Sequence, residues 1–215
     1  MPQFFIDLVS ASDESRRSFE AHPVVLDAVA NGMSIERYRV LLSELYHLVL
    51  HFNPTCAAAA SRMPVGHAGI ATFLYEHMHE ESGHEQWVLD DLEAVGVGRA
   101  AATGYAPSPY VLTLNGYNYW SADRRHPCSV LGMMYVLEVI ASVYGGPFAS
   151  VMKDALLLQG ERGISFINSH ASLDTVHMAQ LRTILNTLDD ASSQAAVRES
   201  VTVNFHHMTH IFASV

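Results

Sequence analysis

The chain has 215 residues, 49% of them hydrophobic and 16% charged, with 12 basic against 22 acidic side chains and a formal net charge of −10. That length and polarity fit one globular domain over 1–215 with a sizeable core, and exclude a disordered chain. The acidic balance argues against non-specific nucleic-acid binding, and two cysteines, Cys56 and Cys128, are too few for a disulfide scaffold or a four-cysteine metal site.

The opening run MPQFFIDLVS has no basic region ahead of its short apolar stretch, so no signal peptide is expected. Positions 12–30 read as one or two short helices, interrupted at His22-Pro23 and stopped at Asn31-Gly32. Ser34 is placed to cap the next helix, which carries Leu41, Leu42, Leu45, Leu48 and Val49 and is kinked or ended by Asn53-Pro54. A third helix is expected over 66–96, and a shorter, aromatic-rich one over 107–125. The stretch 129–159 is very apolar, with a bend at Gly145-Gly146-Pro147. It raises the question of a membrane span. Because it contains Glu138 and lacks close basic anchors, a buried core helix is the better reading, with no membrane partner and a cytoplasmic location. Helices over 165–188 and from 190 onward complete the chain, and His206, His207 and His210 on the last read as surface or outer groups. No alternating strand appears, so the fold class is all-α, a bundle of seven or eight helices.

The most informative stretch is His170-x3-Asp174-x2-His177. On a helix these offsets put three side chains on one face within roughly 60°. Two imidazoles and a carboxylate there form a nitrogen and oxygen ligand set for a transition metal. Glu81-x2-His84 supplies a second pair, and Glu138 sits in the apolar run Leu131–Ala141, where an ionised carboxylate costs several kcal/mol unless paired or metal-bound. With Glu44 on the first long helix, the order is carboxylate, Glu-x2-His, carboxylate, Asp-x2-His. That is close to the rule for bundle sites holding two irons, where bridging carboxylates and terminal imidazoles leave positions open for dioxygen and substrate. Alternatives stay open at two helices. His77 or Glu80 could stand in for Glu81 beside His84, and His47 or His51 could replace or supplement Glu44, since 44, 47 and 51 share a face.

These residues resemble the haem-oxygenase-like di-iron oxidase and oxygenase superfamily, whose fold is shared with haem oxygenase, the thiaminase TenA and the cofactor-free oxidase of pyrroloquinoline quinone synthesis. The resemblance implies Glu44, Glu81, His84, Glu138, His170, Asp174 and His177 as ligands to two Fe ions (Fe2+/Fe3+), with dioxygen as co-substrate. It implies oxidation of a small amine, amino acid or fatty acid, with an external electron donor and scope for a homodimer. Tyr46, Tyr135, Gly145 and Gly146 are candidates for the substrate pocket, within a wider aromatic set of Phe73, Trp87, Tyr117, Tyr144 and Phe148. Three rival readings carry their own signatures. A cofactor-free TenA-like hydrolase needs a nucleophilic thiol, for which Cys128 after Pro127 is the candidate. A haem-binding protein needs an axial histidine such as His22 and glycines near the haem. A non-catalytic metal-binding protein would hold iron without turning over dioxygen.

Overall fold

A computed structural model describes residues 3–215, apart from the side chains of 172–175. Three short helices, α1 (Phe4–Ala11), α2 (Asp13–Glu20) and α3 (Pro23–Asn31), lead into the long α4 (Ile35–Ala60). A 3₁₀ turn (Val65–His67) precedes α5 (Ala68–Glu80) and α6 (His84–Ala94), and a short α7 (Arg99–Thr103) leads to α8 (Pro109–Trp120). Next comes a continuous helix, Ser129–Ala155, made of α9 (Ser129–Ile140), a π-helical turn (Ala141–Gly145) and α10 (Gly146–Ala155). The chain closes with α11 (Ser165–Leu185) and α12 (Ala191–Ala213). The fold is all-α, and no strand occurs among the described residues.

Local chemistry explains most of these boundaries. Ser34 accepts a hydrogen bond from Arg37 N, Ser108 from Val111 N and Asp190 from Ser193 N, so each caps a helix whose first N–H groups would otherwise lack partners. Pro54 lies inside α4, which neither ends nor breaks there. Asn53 Nδ2 donates to Met78 O at 3.0 Å, tying that turn of α4 to α5. The helix expected over 66–96 is instead two helices. Gly83, at φ +93°, turns the chain between α5 and α6 with a backbone that side chains rarely adopt. The short N-terminal helices and this split put more helices in the chain than seven or eight.

The helix Ser129–Ala155 is long and apolar enough to cross a membrane, but 67% of its most apolar window is buried inside the protein. It is the central helix of the bundle. At Gly132 it runs so close to α12 that a Cβ would come within 2.5 Å of Val197 O. Two apolar clusters form the core. One gathers around α9, α12 and α5, and the other around the first half of α4, α6 and α10. The functional side chains lie at the seam between them, on α5, α6, α9 and α11.

Candidate metal centre

Six side chains converge in the interior: His77 from α5, Glu81 at its end, His84 from the start of α6, Glu138 from α9, and His170 and His177 from α11. They form two groups. In the first, His177 Nδ1 lies 3.4 Å from Glu138 Oε1, and His77 Nε2 lies 4.0 Å from the same oxygen. Glu81 Oε1 completes this group at 3.9 Å from His77 Nε2 and 3.8 Å from His177 Nδ1. In the second, Glu81 Oε2 lies 2.7 Å from His84 Nδ1 and 3.5 Å from His170 Nε2, with the two rings 3.2 Å apart at those nitrogens. The two oxygens of Glu81 therefore face two different ligand sets. Donor atoms bound to one metal at 2.0–2.2 Å lie about 3–3.5 Å from each other, close to the spacing found here.

Burial and charge shape the centre. His77 is 2% exposed, and burial lowers its pKa to about 4, so its ring is neutral at physiological pH. Neither ring nitrogen of His77, nor Glu138 Oε2, has a hydrogen-bond partner among the described residues. For Glu81, burial alone would raise the carboxyl. Hydrogen bonds and positive charge from His170 and His84 override it and hold the group well below the usual carboxylate range. The hydrogen bond to Glu138 raises His177 against the effect of burial. The outer contacts are also specific. His170 Nδ1 donates to Phe166 O at 2.8 Å, which orients the ring with Nε2 toward Glu81. Trp87 stacks on His84 with ring centroids 4.0 Å apart.

The sequence-based ligand set needs one correction. Glu44 is buried but is not in the cluster. Its carboxylate accepts hydrogen bonds from Tyr105 Oη at 2.7 Å, Ser108 N at 3.0 Å and Ser108 Oγ at 2.9 Å, so it anchors the loop ahead of α8. Its face-sharing alternatives are occupied elsewhere too. His47 Nε2 pairs with Tyr105 O at 2.9 Å, and His51 packs edge-on to Tyr119. The place expected for Glu44 is taken by His77, which the spacing offered only as a substitute for Glu81. Both His77 and Glu81 are in the cluster. Glu81 and His84 meet across the Gly83 turn and not along one helix face, because α5 ends before them. Glu80 sits at the rim, 45% exposed, with its carboxylate 3.5 Å from His177 Nε2. Asp174 lies outside the described residues.

An apolar cavity of about 160 Å³ opens on the cluster, with His77, Glu81, Glu138 and His170 in its wall. The rest of the described lining is apolar apart from Tyr144, whose hydroxyl is bound to Glu20. Gly145, Tyr144 and Phe148 line it. Tyr46 and Tyr135 do not: Tyr46 is buried beside His47, and Tyr135 pairs with Ser12 at 3.2 Å. Gly146 is not in the wall either, and a Cβ on Gly145 would meet Ala171 Cβ and Ile167 O at 3.4 Å, so α11 packs closely there. The π-helical turn begins three residues after Glu138, and Ser142 Oγ donates to Glu138 O at 2.6 Å. Neither cysteine lines the cavity. Both thiols are fully buried and pushed upward by burial. His22 does not line it, and caps α3.

Spacing gave no hint of Asp91. This buried carboxylate accepts from Gly163 N at 2.9 Å, Ser165 N at 3.0 Å, Ser165 Oγ at 2.8 Å and Phe166 N at 2.8 Å, and so fixes the start of the helix that carries His170 and His177. The only signal in the sequence was an acidic residue placed within an apolar pattern, Val88, Leu89 and Leu92.

A family profile described as iron-containing redox enzyme matches residues 39–205. The chain belongs to that family. The matched span contains all six converging side chains. The fold is that of haem-oxygenase-like proteins. A heme oxygenase-like domain of unknown function from Shewanella denitrificans superposes with a TM-score of 0.83 at 20% identity, covering 95% of this chain and 88% of its own. A TenA homologue from Pseudomonas syringae gives 0.82 at 15% identity, with 98% and 91% covered. Heme oxygenase-1 from Synechocystis, solved in complex with heme, gives 0.80 at 15% identity, with 99% and 91% covered. No curated protein matches the chain.

Proposed function

We propose that this family member is a non-haem oxidase or oxygenase that holds two iron ions in the six-residue cluster and uses dioxygen to oxidise a small organic substrate. The observation that carries the reading is the arrangement around Glu81. Its two oxygens face separate ligand groups at near-coordination spacing, beside a buried histidine with no hydrogen bond at either ring nitrogen among the described residues. Buried polar atoms without partners are costly, and a cation bound by them offsets that cost. His77, His177 and Glu138 would hold one ion, His84 and His170 the other, with Glu81 between them. Bound iron would supply one-electron chemistry with dioxygen and open positions for a substrate group.

The chain's own residues define what can react there. Four neutral imidazoles and the carboxylates of Glu81 and Glu138 leave two divalent ions with excess positive charge. Asp174, hydroxide or an anionic substrate group would balance it. Among the described residues the cavity wall has no Lys or Arg. An apolar body therefore fills the cavity, and the substrate's polar end meets the metal cluster. That supports a fatty acid, or an amine or amino acid with an apolar side chain, over a highly charged substrate.

The test is anaerobic loading with Fe(II) followed by dioxygen, with oxygen uptake and the optical spectrum recorded for wild type and for Glu81→Ala. The proposal expects uptake coupled to iron oxidation in wild type, and its loss in Glu81→Ala. Equal uptake in both proteins, or none in wild type with iron bound, would overturn it.

A further inference from the structure

We propose that His67, Asp189 and Asp190 form a second cation site, separate from the core cluster, that takes one divalent transition metal of the zinc type. His67 ends the 3₁₀ turn ahead of α5, and the two aspartates lie in the link between α11 and α12. One donor atom from each of the three lies within 4.8 Å of the others. His67 is turned by its two nitrogens toward different partners. Nδ1 lies 3.7 Å from the sulfur of fully buried Cys128, and Nε2 lies 3.5 Å from Asp190 Oδ2.

That second distance is the informative one. A direct N–H···O hydrogen bond would bring the atoms to 2.7–3.2 Å. Ligand atoms bound to one zinc at 2.0–2.2 Å sit about 3–3.5 Å apart. The carboxylate is also held in place. Asp190 Oδ1 accepts from Ser193 N at 2.8 Å as the cap of α12, which leaves Oδ2 toward His67. The Cys128 contact orients the ring with Nε2 toward Asp190, and a ring held through its other nitrogen is the arrangement found for metal-bound histidines. An imidazole with two carboxylates favours zinc or manganese over calcium or magnesium, and zinc over manganese. The bound ion would clamp the turn before α5 to the α11–α12 link, with Cys128 joining the start of α9. These segments adjoin α5, α9 and α11, three of the helices that bear the core cluster.

The probe is Zn2+ alone, added to the full-length metal-free chain and counted after gel filtration. The variant Glu81→Ala/His177→Ala removes the core site, so the surface site is read whether or not the core binds metal. One zinc per chain is expected to remain there, and to be lost on adding Asp189→Asn or His67→Gln. Cys128→Ser should keep the count and weaken binding about 10–100-fold, as loss of an orienting partner does. Asp189 is exposed, so Asp189→Asn in the otherwise wild-type chain gives a second reading in a protein that folds, and its zinc count should fall by one. A core-deficient chain that binds no zinc, or a zinc count unmoved by both Asp189→Asn and His67→Gln, would overturn the proposal.

Discussion

Two pairs of interior carboxylates divide this molecule. Glu44 and Asp91 are 1% exposed, Glu138 is 7% exposed and the Glu81 side chain 11%, so burial alone does not separate them. Their partners do. Glu44 is satisfied by Tyr105 and Ser108, and Asp91 by four donors at the start of α11. Glu138 and Glu81 face histidines at 2.7–4.0 Å, with Glu138 Oε2 and both nitrogens of His77 lacking hydrogen bonds among the described residues. The first pair holds loops and helix ends in place. The second faces imidazoles and leaves buried polar atoms over among the described residues, which supports the proposed metal centre. In an apolar bundle, a complete count of hydrogen bonds distinguishes a structural carboxylate from a ligand.

The largest effect that sharpens this contrast is at Asp91. Asp91→Ala removes the acceptor for four donors at the base of α11, and urea denaturation should show a loss of roughly 3–5 kcal/mol, as when one side of a buried charged pair is removed. Iron content should fall with it, because His170 and His177 lie on that helix. A loss below about 1 kcal/mol would erase the distinction.

Next in size is the response of the metal-free chain to acid. His77 has a folded pKa of about 4 against an ordinary 6.5. Between those values the unfolded chain takes up a proton that the folded chain refuses. Stability therefore falls as pH drops from 6.5 to 4 and levels off below, by roughly 3 kcal/mol. Glu81, lowered in the folded state, adds a further loss below its ordinary range near 4.5. His177, raised, works in the opposite direction, and its contribution is lost as pH rises through its folded value. Thermal melts of the metal-free chain and of His77→Phe across pH 4–7 separate these effects. An equal acid loss in both would show that His77 is not the group responsible.

At Glu44 the expected loss is smaller. Glu44→Gln should cost about 1–3 kcal/mol through weaker bonds to Tyr105 and Ser108, with iron content unchanged. A drop in iron with unchanged stability would return Glu44 to the ligand set. The smallest change is expected from Glu138→Leu. It should abolish iron binding while leaving the metal-free chain as stable, or up to about 2 kcal/mol more stable, because an apolar side chain carries no desolvation cost there. Unfolding by several kcal/mol would make Glu138 structural instead.

Much of this was legible in the sequence. Glu138 stood out because its neighbours are apolar over two helical turns, and His170 and His177 because a spacing of seven returns to one helix face. Glu44 and Asp91 show where the reading stopped. The partners of Glu44 come from a loop more than 60 residues away, and those of Asp91 from a helix start more than 70 residues away. No periodicity encodes such contacts. The Gly83 turn hid in the same way: 66–96 has a continuous helical pattern, and a single left-handed glycine breaks it. His77, Glu81 and His84 still turn inward together across the break, as the i, i+4, i+7 spacing of a straight helix also implied.

Glu81 is proposed to join two metal-binding groups into one centre. Mössbauer spectroscopy of the chain loaded anaerobically with ⁵⁷Fe(II) and then oxidised tests it most directly, because magnetic coupling arises only between ions that share a bridge. The account predicts two irons per chain in a coupled pair, retained in Glu44→Gln and absent in Glu81→Ala. Iron bound only as isolated, uncoupled ions in the wild-type chain, or a coupled pair that survives Glu81→Ala, would contradict it.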